Sequence, residues 1–185
     1  MQAKKLTETK LRTPEFRISF PHVFKQAIFE GKEQGYTVTA LMTDNKETRK
    51  FQEFVKEAVN AAAKKKWKQQ RPKKLKTPTF DSESDRPEAA EKIVARFRSQ
   101  QKPFVIDAYR NPIENHEDVY GGAYGIAVVE AYAWDNQFGK GVSLSLLGLQ
   151  KTRNGVPFLS GATEDDFEDI DADEEEDEGE DDPFK

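Results

Sequence analysis

From Ala162 to Lys185 the chain holds 15 Asp or Glu against a single Lys, with too few apolar residues to form a core. A segment this charged stays disordered on its own. Any fold must therefore be built from the 161 residues that precede it. Those residues carry 28 Lys or Arg and 19 Asp or Glu, a balance of +9, whereas the tail carries −14. The overall net charge of −5 thus hides a basic body joined to an acidic end. Such asymmetry points to a polyanionic partner for the body, and a solubilising tail is the plainer alternative.

The body is patterned mainly as strands. Glu15 to Phe24 alternates, with Phe16, Ile18 and Phe20 on one face, Arg17 and Ser19 on the other, and a bend at Pro21. Gly35 to Met42 alternates again, with Val38, Ala40 and Met42 on one face and Thr37 and Thr39 on the other. The period then changes. Phe51, Phe54, Val55, Ala58, Val59 and Ala62 lie on one face of a helix running from Lys46 to about Lys66, with Asp44 and Glu47 as a capping box. Thr77 to Glu91 reads as a loop. Lys92 to Ser99, Phe104 to Tyr109, Gly122 to Trp134 and Val142 to Lys151 read as four further strands, separated by turns at Asn111-Pro112 and Asn136 to Gly141. Residues 1–13 read as a flexible basic arm, 14–161 as the folded domain with the helix and basic segment of about 46–76 inserted, and 162–185 as the disordered acidic tail. The order predicts a mainly β protein with one or two helices, a five-stranded, partly open Greek-key barrel of the OB type.

Several chemistries have no support. There is no Cys, which excludes thiolate metal sites, and with His22 and His116 as the sole histidines a His-based zinc site is nearly excluded. No phosphate loop, nucleophile elbow or alternating βαβ pattern occurs. Asp81, Glu83 and Asp85 read as a solvated loop rather than the metal site of a nuclease. No enzyme activity and no cofactor are expected. Lacking a leader-like or membrane-spanning apolar run, the protein is expected to be soluble and intracellular.

Three features point to nucleic acid. Lys64, Lys65, Lys66, Lys68, Arg71, Lys73, Lys74 and Lys76 crowd into thirteen residues, more than a helix C-terminus needs, and can neutralise backbone phosphates. Arg96 and Arg98 alternate along a strand and can join them. Trp67, Tyr109, Tyr124, Tyr132 and Trp134 are candidate stacking platforms, each stacked base contributing ~1–3 kcal/mol. Tyr124, Tyr132 and Trp134 share a strand face with Glu130, opposite Ala123, Gly125, Ala127, Val129, Ala131 and Ala133. Finally, the tail has a reach of roughly 25–30 Å by flexible-chain scaling, enough to fold back over a basic groove. Its end, Asp181-Asp182-Pro183-Phe184, offers an aromatic among acids to a partner's pocket.

The segments ISFPHVF, LKTPTFDSESDRPE, FVIDAYRNPI and VYGGAYGIAVVEAYAWDNQFGKGVSLSLLGLQK, closed by GVPFLSG, resemble the phage single-stranded DNA-binding proteins with an OB fold. These share a conserved domain formerly of unknown function, and the resemblance runs from about Thr13 to Phe167. It implies a sequence-independent single-strand binder acting in phage DNA replication, recombination and repair, within the cytoplasm of an infected bacterial host. It also implies that the acidic tail competes for the groove and recruits a polymerase, primase, helicase or nuclease. Asp182-Pro183-Phe184 resembles the terminal tripeptide of bacterial single-strand binders, although here Lys185 follows. A strand-annealing recombination mediator, an RNA-binding regulator and an acidic-tailed chaperone for basic proteins remain alternatives, and a homodimer stays open.

Overall fold

The computed structural model describes residues 1–68, 70–81 and 87–158. The acidic tail, with Asp181, Asp182, Pro183 and Phe184, lies outside them, as do Glu83 and Asp85. Among the described residues there are ten strands: β1 (Lys4–Lys5), β2 (Lys10–Arg12), β3 (Phe16–His22), β4 (Ile28–Phe29), β5 (Lys32–Glu33), β6 (Tyr36–Thr43), β7 (Lys92–Ser99), β8 (Phe104–Ile106), β9 (Tyr124–Asn136) and β10 (Gly139–Arg153). Among the described residues there is one α-helix, α1 (Lys46–Trp67), besides two short 3-10 turns. No helix there is long and apolar enough to cross a membrane.

Five strands close on themselves. β3 pairs with β6, β6 with β7, β7 with β10, β10 with β9, and β9 returns to β3. All of these contacts are antiparallel except β7 with β10. This is the expected OB-type Greek-key barrel, and the same sheet continues beyond the closed five strands through β2 and β1 on β9 and through β8 on β10. The barrel interior takes alternate residues from each strand: Val38, Ala40 and Met42 of β6, Ala95 and Phe97 of β7, Ala127, Val129 and Ala131 of β9, and Val142, Leu144 and Leu146 of β10. Helix α1 adds Phe51, Val55, Ala58, Val59, Ala62 and Ala63 to the same core.

The seam between β7 and β10 is the weak point of the closure, with Ser145 opposite Arg98 as its paired position. Residues 76–81 cross the gap as a strap. The Lys76 backbone bridges to β10, its N–H donating to the Lys140 carbonyl at 3.1 Å and its carbonyl accepting from Val142 at 2.8 Å. At the other end Asp81 exchanges two backbone hydrogen bonds with Val94 of β7. Between them Phe80 drops inward edge-to-face against Phe51, which meets Phe97, which meets Phe16, with centroids 6.1 to 6.4 Å apart. Aromatic pairs in this geometry are each worth ~0.5–1.5 kcal/mol beyond their burial. The segment read as a loop thus completes the barrel wall.

Three expectations about local structure need correction. The first thirteen residues are not a flexible arm: β2 lies antiparallel to β9, Leu11 is 0% exposed, and buried Thr13 accepts from the Ala127 N–H at 2.9 Å. Ala3 joins Leu11 in the core, and Lys5 pairs with Glu57 of α1. The helix is capped by Asn45, whose side chain accepts from the Thr48 N–H at 3.0 Å. Asp44 instead pairs with Arg49, and Glu47 accepts from the Ala3 N–H. Phe20 does not share the inward face of Phe16 and Ile18. Its φ of +46° and the register shift before His22 turn it outward, leaving it 51% exposed.

Candidate nucleic-acid interface

Alternation that sends Ala95 and Phe97 into the barrel sends Arg96 and Arg98 out. The same logic on β9 turns Glu130, Tyr132 and Trp134 outward, and on β10 it turns out Ser143 and Ser145. Because β7, β10 and β9 are adjacent, these side chains form one concave face. It is a groove of about 1210 Å³, and the strap from Lys76 to Asp81 and Phe138 of the β9–β10 turn also line it. The two serines keep the floor low, so the arginines on one side and the aromatics on the other stand as walls. Among the described residues neither Arg96 nor Arg98 makes an ion pair, and both are exposed. Their charge is available to an anion.

Trp134 is held in place. Its indole N–H donates to the Ser143 hydroxyl at 2.9 Å, and its ring covers Gly141. Tyr132, directly opposite Ser143, is 48% exposed. Phe138 sits in the tight turn, 73% exposed, with its N–H capped by the Asn136 side chain and its carbonyl accepting from the Lys76 ammonium at 3.1 Å. An exposed phenyl in a hairpin turn serves no packing purpose. In the sequence it lies within the turn from Asn136 to Gly141, and an aromatic with no structural role there is the signal that marks it.

The basic segment approaches one end of this groove. The Lys140 ammonium, 2.8 Å away, holds the Asp135 carboxyl below its ordinary value, with smaller help from Trp67 and from the Lys66 charge. Of the eight clustered cations, Lys76 lines the groove. Lys64, Lys65, Lys66 and Lys68 are exposed at the helix end, and Arg71, Lys73 and Lys74 are exposed along the return to the strap, with Arg71 hydrogen-bonded to Asn60.

Three of the five aromatics named from the sequence stand elsewhere. Trp67 packs against the barrel core. Tyr109 is 84% exposed, on a turn after β8 built by the Asp107 carboxylate, which accepts from the Tyr109 and Asn111 N–H groups. Tyr124 begins β9 beyond the groove, with the Arg153 guanidinium 3.3 Å from its ring centroid and Arg17 at 5.5 Å. Those cations compete with any base for its ring. No group of acids or histidines suited to a metal ion occurs among the described residues.

Comparison with solved structures returns the same architecture. The single-stranded DNA-binding protein from bacteriophage Enc34 in complex with ssDNA is 23% identical with a TM-score of 0.70, covering 85% of this chain and 98% of that one. The single-stranded DNA binding protein gp2.5 encoded by bacteriophage T7 is 15% identical with a TM-score of 0.59, covering 86% of this chain and 93% of that one. In sequence, a protein designated p50 from Acyrthosiphon pisum secondary endosymbiont phage 1 is 41% identical over 81 residues. That match spans 42% of this chain and less than half, 44%, of the relative. A family model described by the ssDNA-binding protein of Enterobacter phage Enc34 matches residues 9–179, nearly the whole chain. The chain therefore belongs to the Enc34 single-stranded DNA-binding protein family.

Proposed function

We propose that this protein binds single-stranded DNA in the groove across β7, β10 and β9. The observation that carries this reading is the shared outward face: cations without ion pairs, Arg96 and Arg98, stand across two serines from Tyr132, Trp134 and Phe138. A single strand offers both things such a face needs, a line of phosphates and unpaired bases with open faces. A duplex hides its base faces, so the aromatics would gain nothing from it. OB barrels present strands two and three and the loop between strands four and five to oligonucleotides. The groove uses the third strand, β7, and that same loop, which holds Phe138. Lys76 and the exposed cations at the end of α1 extend the phosphate path at one end. Membership of the family described above supports the same assignment.

The role follows from the mode of binding. Phosphate contact and stacking carry little sequence information, so the protein suits coating of transient single strands in phage replication and recombination. The folded unit and the acidic tail from Ala162 to Lys185 then act together: the tail competes for the groove as a polyanion and offers Asp181, Asp182, Pro183 and Phe184 to replication partners. The experiment is a titration of labelled single-stranded DNA with the full chain and with a chain ending at residue 161. Tighter binding by the shorter chain at low salt supports the competition, and equal binding sinks it.

A further inference from the structure

Besides Asp81 at the end of the strap, the groove holds an acid on β9, Glu130, which a purely phosphate-binding surface would exclude, because like charges repel strongly at contact distance. Its surroundings do not neutralise it. The Thr9 hydroxyl donates to Oε1 at a long 3.3 Å. Lys10 lies directly across on β2, yet among the described residues Glu130 makes no ion pair. Nor is Oε2 engaged by any hydrogen bond within the described chain.

The position of this acid is set by sheet register. Glu130 is opposite Ser145, and Ser145 is opposite Arg98, so one row across the sheet reads acid, small hydroxyl, guanidinium. Two strand spacings, roughly 9–10 Å, separate the outer members of that row. A nucleotide laid across it with its phosphate on Arg98 points its base over the serine toward Glu130. Tyr132, two residues along the same face, places a stacked base beside the carboxylate. An ionised carboxylate only accepts hydrogen bonds. Cytosine, adenine and guanine each present an exocyclic amine that can donate to it, as cytosine N4 does to acidic side chains. Thymine presents one ring N–H flanked by two carbonyl oxygens, which the carboxylate repels.

We propose that Glu130 is a specificity-determining residue of the groove, accepting from the exocyclic amine of a bound base and disfavouring thymine. This rests on the single-strand reading above. It makes the β9 wall the base side and the β7 wall the phosphate side, and it superimposes a mild compositional bias on otherwise sequence-tolerant binding.

The test compares dissociation constants for oligo(dT) and oligo(dC) of about 15 nucleotides, near the upper site size of one OB fold, at neutral pH and fixed salt. The full-length protein and its E130Q variant are measured side by side. Glutamine offers a donor as well as an acceptor and so has no reason to reject thymine. The ratio of the dT to the dC constant is expected to fall at least about threefold in E130Q. An unchanged ratio, with both proteins binding both oligomers, overturns the proposal and leaves the single-strand reading intact. Failure of the unaltered protein to bind either oligomer overturns the single-strand reading itself. A ligand-side variant avoids any folding effect of the substitution. An oligomer of N4,N4-dimethylcytosine, which lacks the amine hydrogens, should bind the unaltered protein like oligo(dT). Binding as tight as that of oligo(dC) contradicts the role assigned to Glu130.

Discussion

The Trp134 ring occupies the space that a side chain at Gly141 would need. A Cβ added there would stand 2.4 Å from Cζ2 and 2.7 Å from Cε2 of the indole. The two residues are paired across β9 and β10, so the glycine is what allows the indole to lie down toward the groove and donate to Ser143. Gly141→Ala is expected to displace the ring and weaken single-strand affinity by ~1–3 kcal/mol, the worth of one stacked base. No charge changes, so the salt dependence of binding should keep its slope, as read from titrations at several ionic strengths.

Arg96 and Arg98 should behave in the opposite way. Replacing either by alanine removes one phosphate contact and lowers the slope of log affinity against log salt by roughly 0.7–1. Both side chains are exposed, so the melting temperature should stay close to that of the unaltered protein. A slope that stays fixed in the double variant places the phosphate path elsewhere.

Much of this was legible in the sequence, and the reasons differ by element. Alternation from Ala95 to Ser99 gave the outward face of Arg96 and Arg98, because Ala95, Phe97 and Ser99 on the opposite face are buried and register is then strongly specified. The same alternation separated Tyr132 and Trp134 from the inward alanines of β9. What alternation cannot give is position along the strand relative to neighbours. Tyr124 shares a face with Tyr132, yet it lies eight residues away, where Arg153 and Arg17 meet its ring instead of the groove. Trp67 looked like a platform amid lysines, but its neighbours in space are the core and Asp135. The strap was unreadable as barrel wall, because its two ends pair with strands 13 and 65 residues ahead, at Val94 and Gly141.

The N-terminal strand gives a stability prediction. Leu11 is fully buried beside Val129, so Leu11→Ala should cost about 2–5 kcal/mol, measured by denaturant unfolding. A dispensable basic arm would show no such loss.

Acid should weaken the fold through identifiable groups. Burial pushes the Glu15 carboxyl up, but hydrogen bonds from Arg153 and Thr152 outweigh it and hold the group below its ordinary 4.5. Lys140 does the same for Asp135, and Asn111 for Asp107, relative to 3.8. Carboxylates lowered by folding contribute stability that is fully present above their unfolded values and is lost as pH falls through the folded ones. Melting temperature should therefore be level from about pH 7 to 5 and decline below about pH 4. Arg153→Ala should shrink that decline.

The central claim is that β7, β10 and β9 carry a groove for one DNA strand. It is tested most directly by fluorescence anisotropy of labelled single-stranded and duplex DNA across a salt series, with the unaltered protein and a Tyr132→Ala, Trp134→Ala double variant. The account predicts preferential binding of the single strand, weakening linearly with log salt, and loss of that preference in the double variant with the salt slope retained. Equal binding of duplex and single strand by the unaltered protein, or a preference that survives removal of both aromatics, would contradict it.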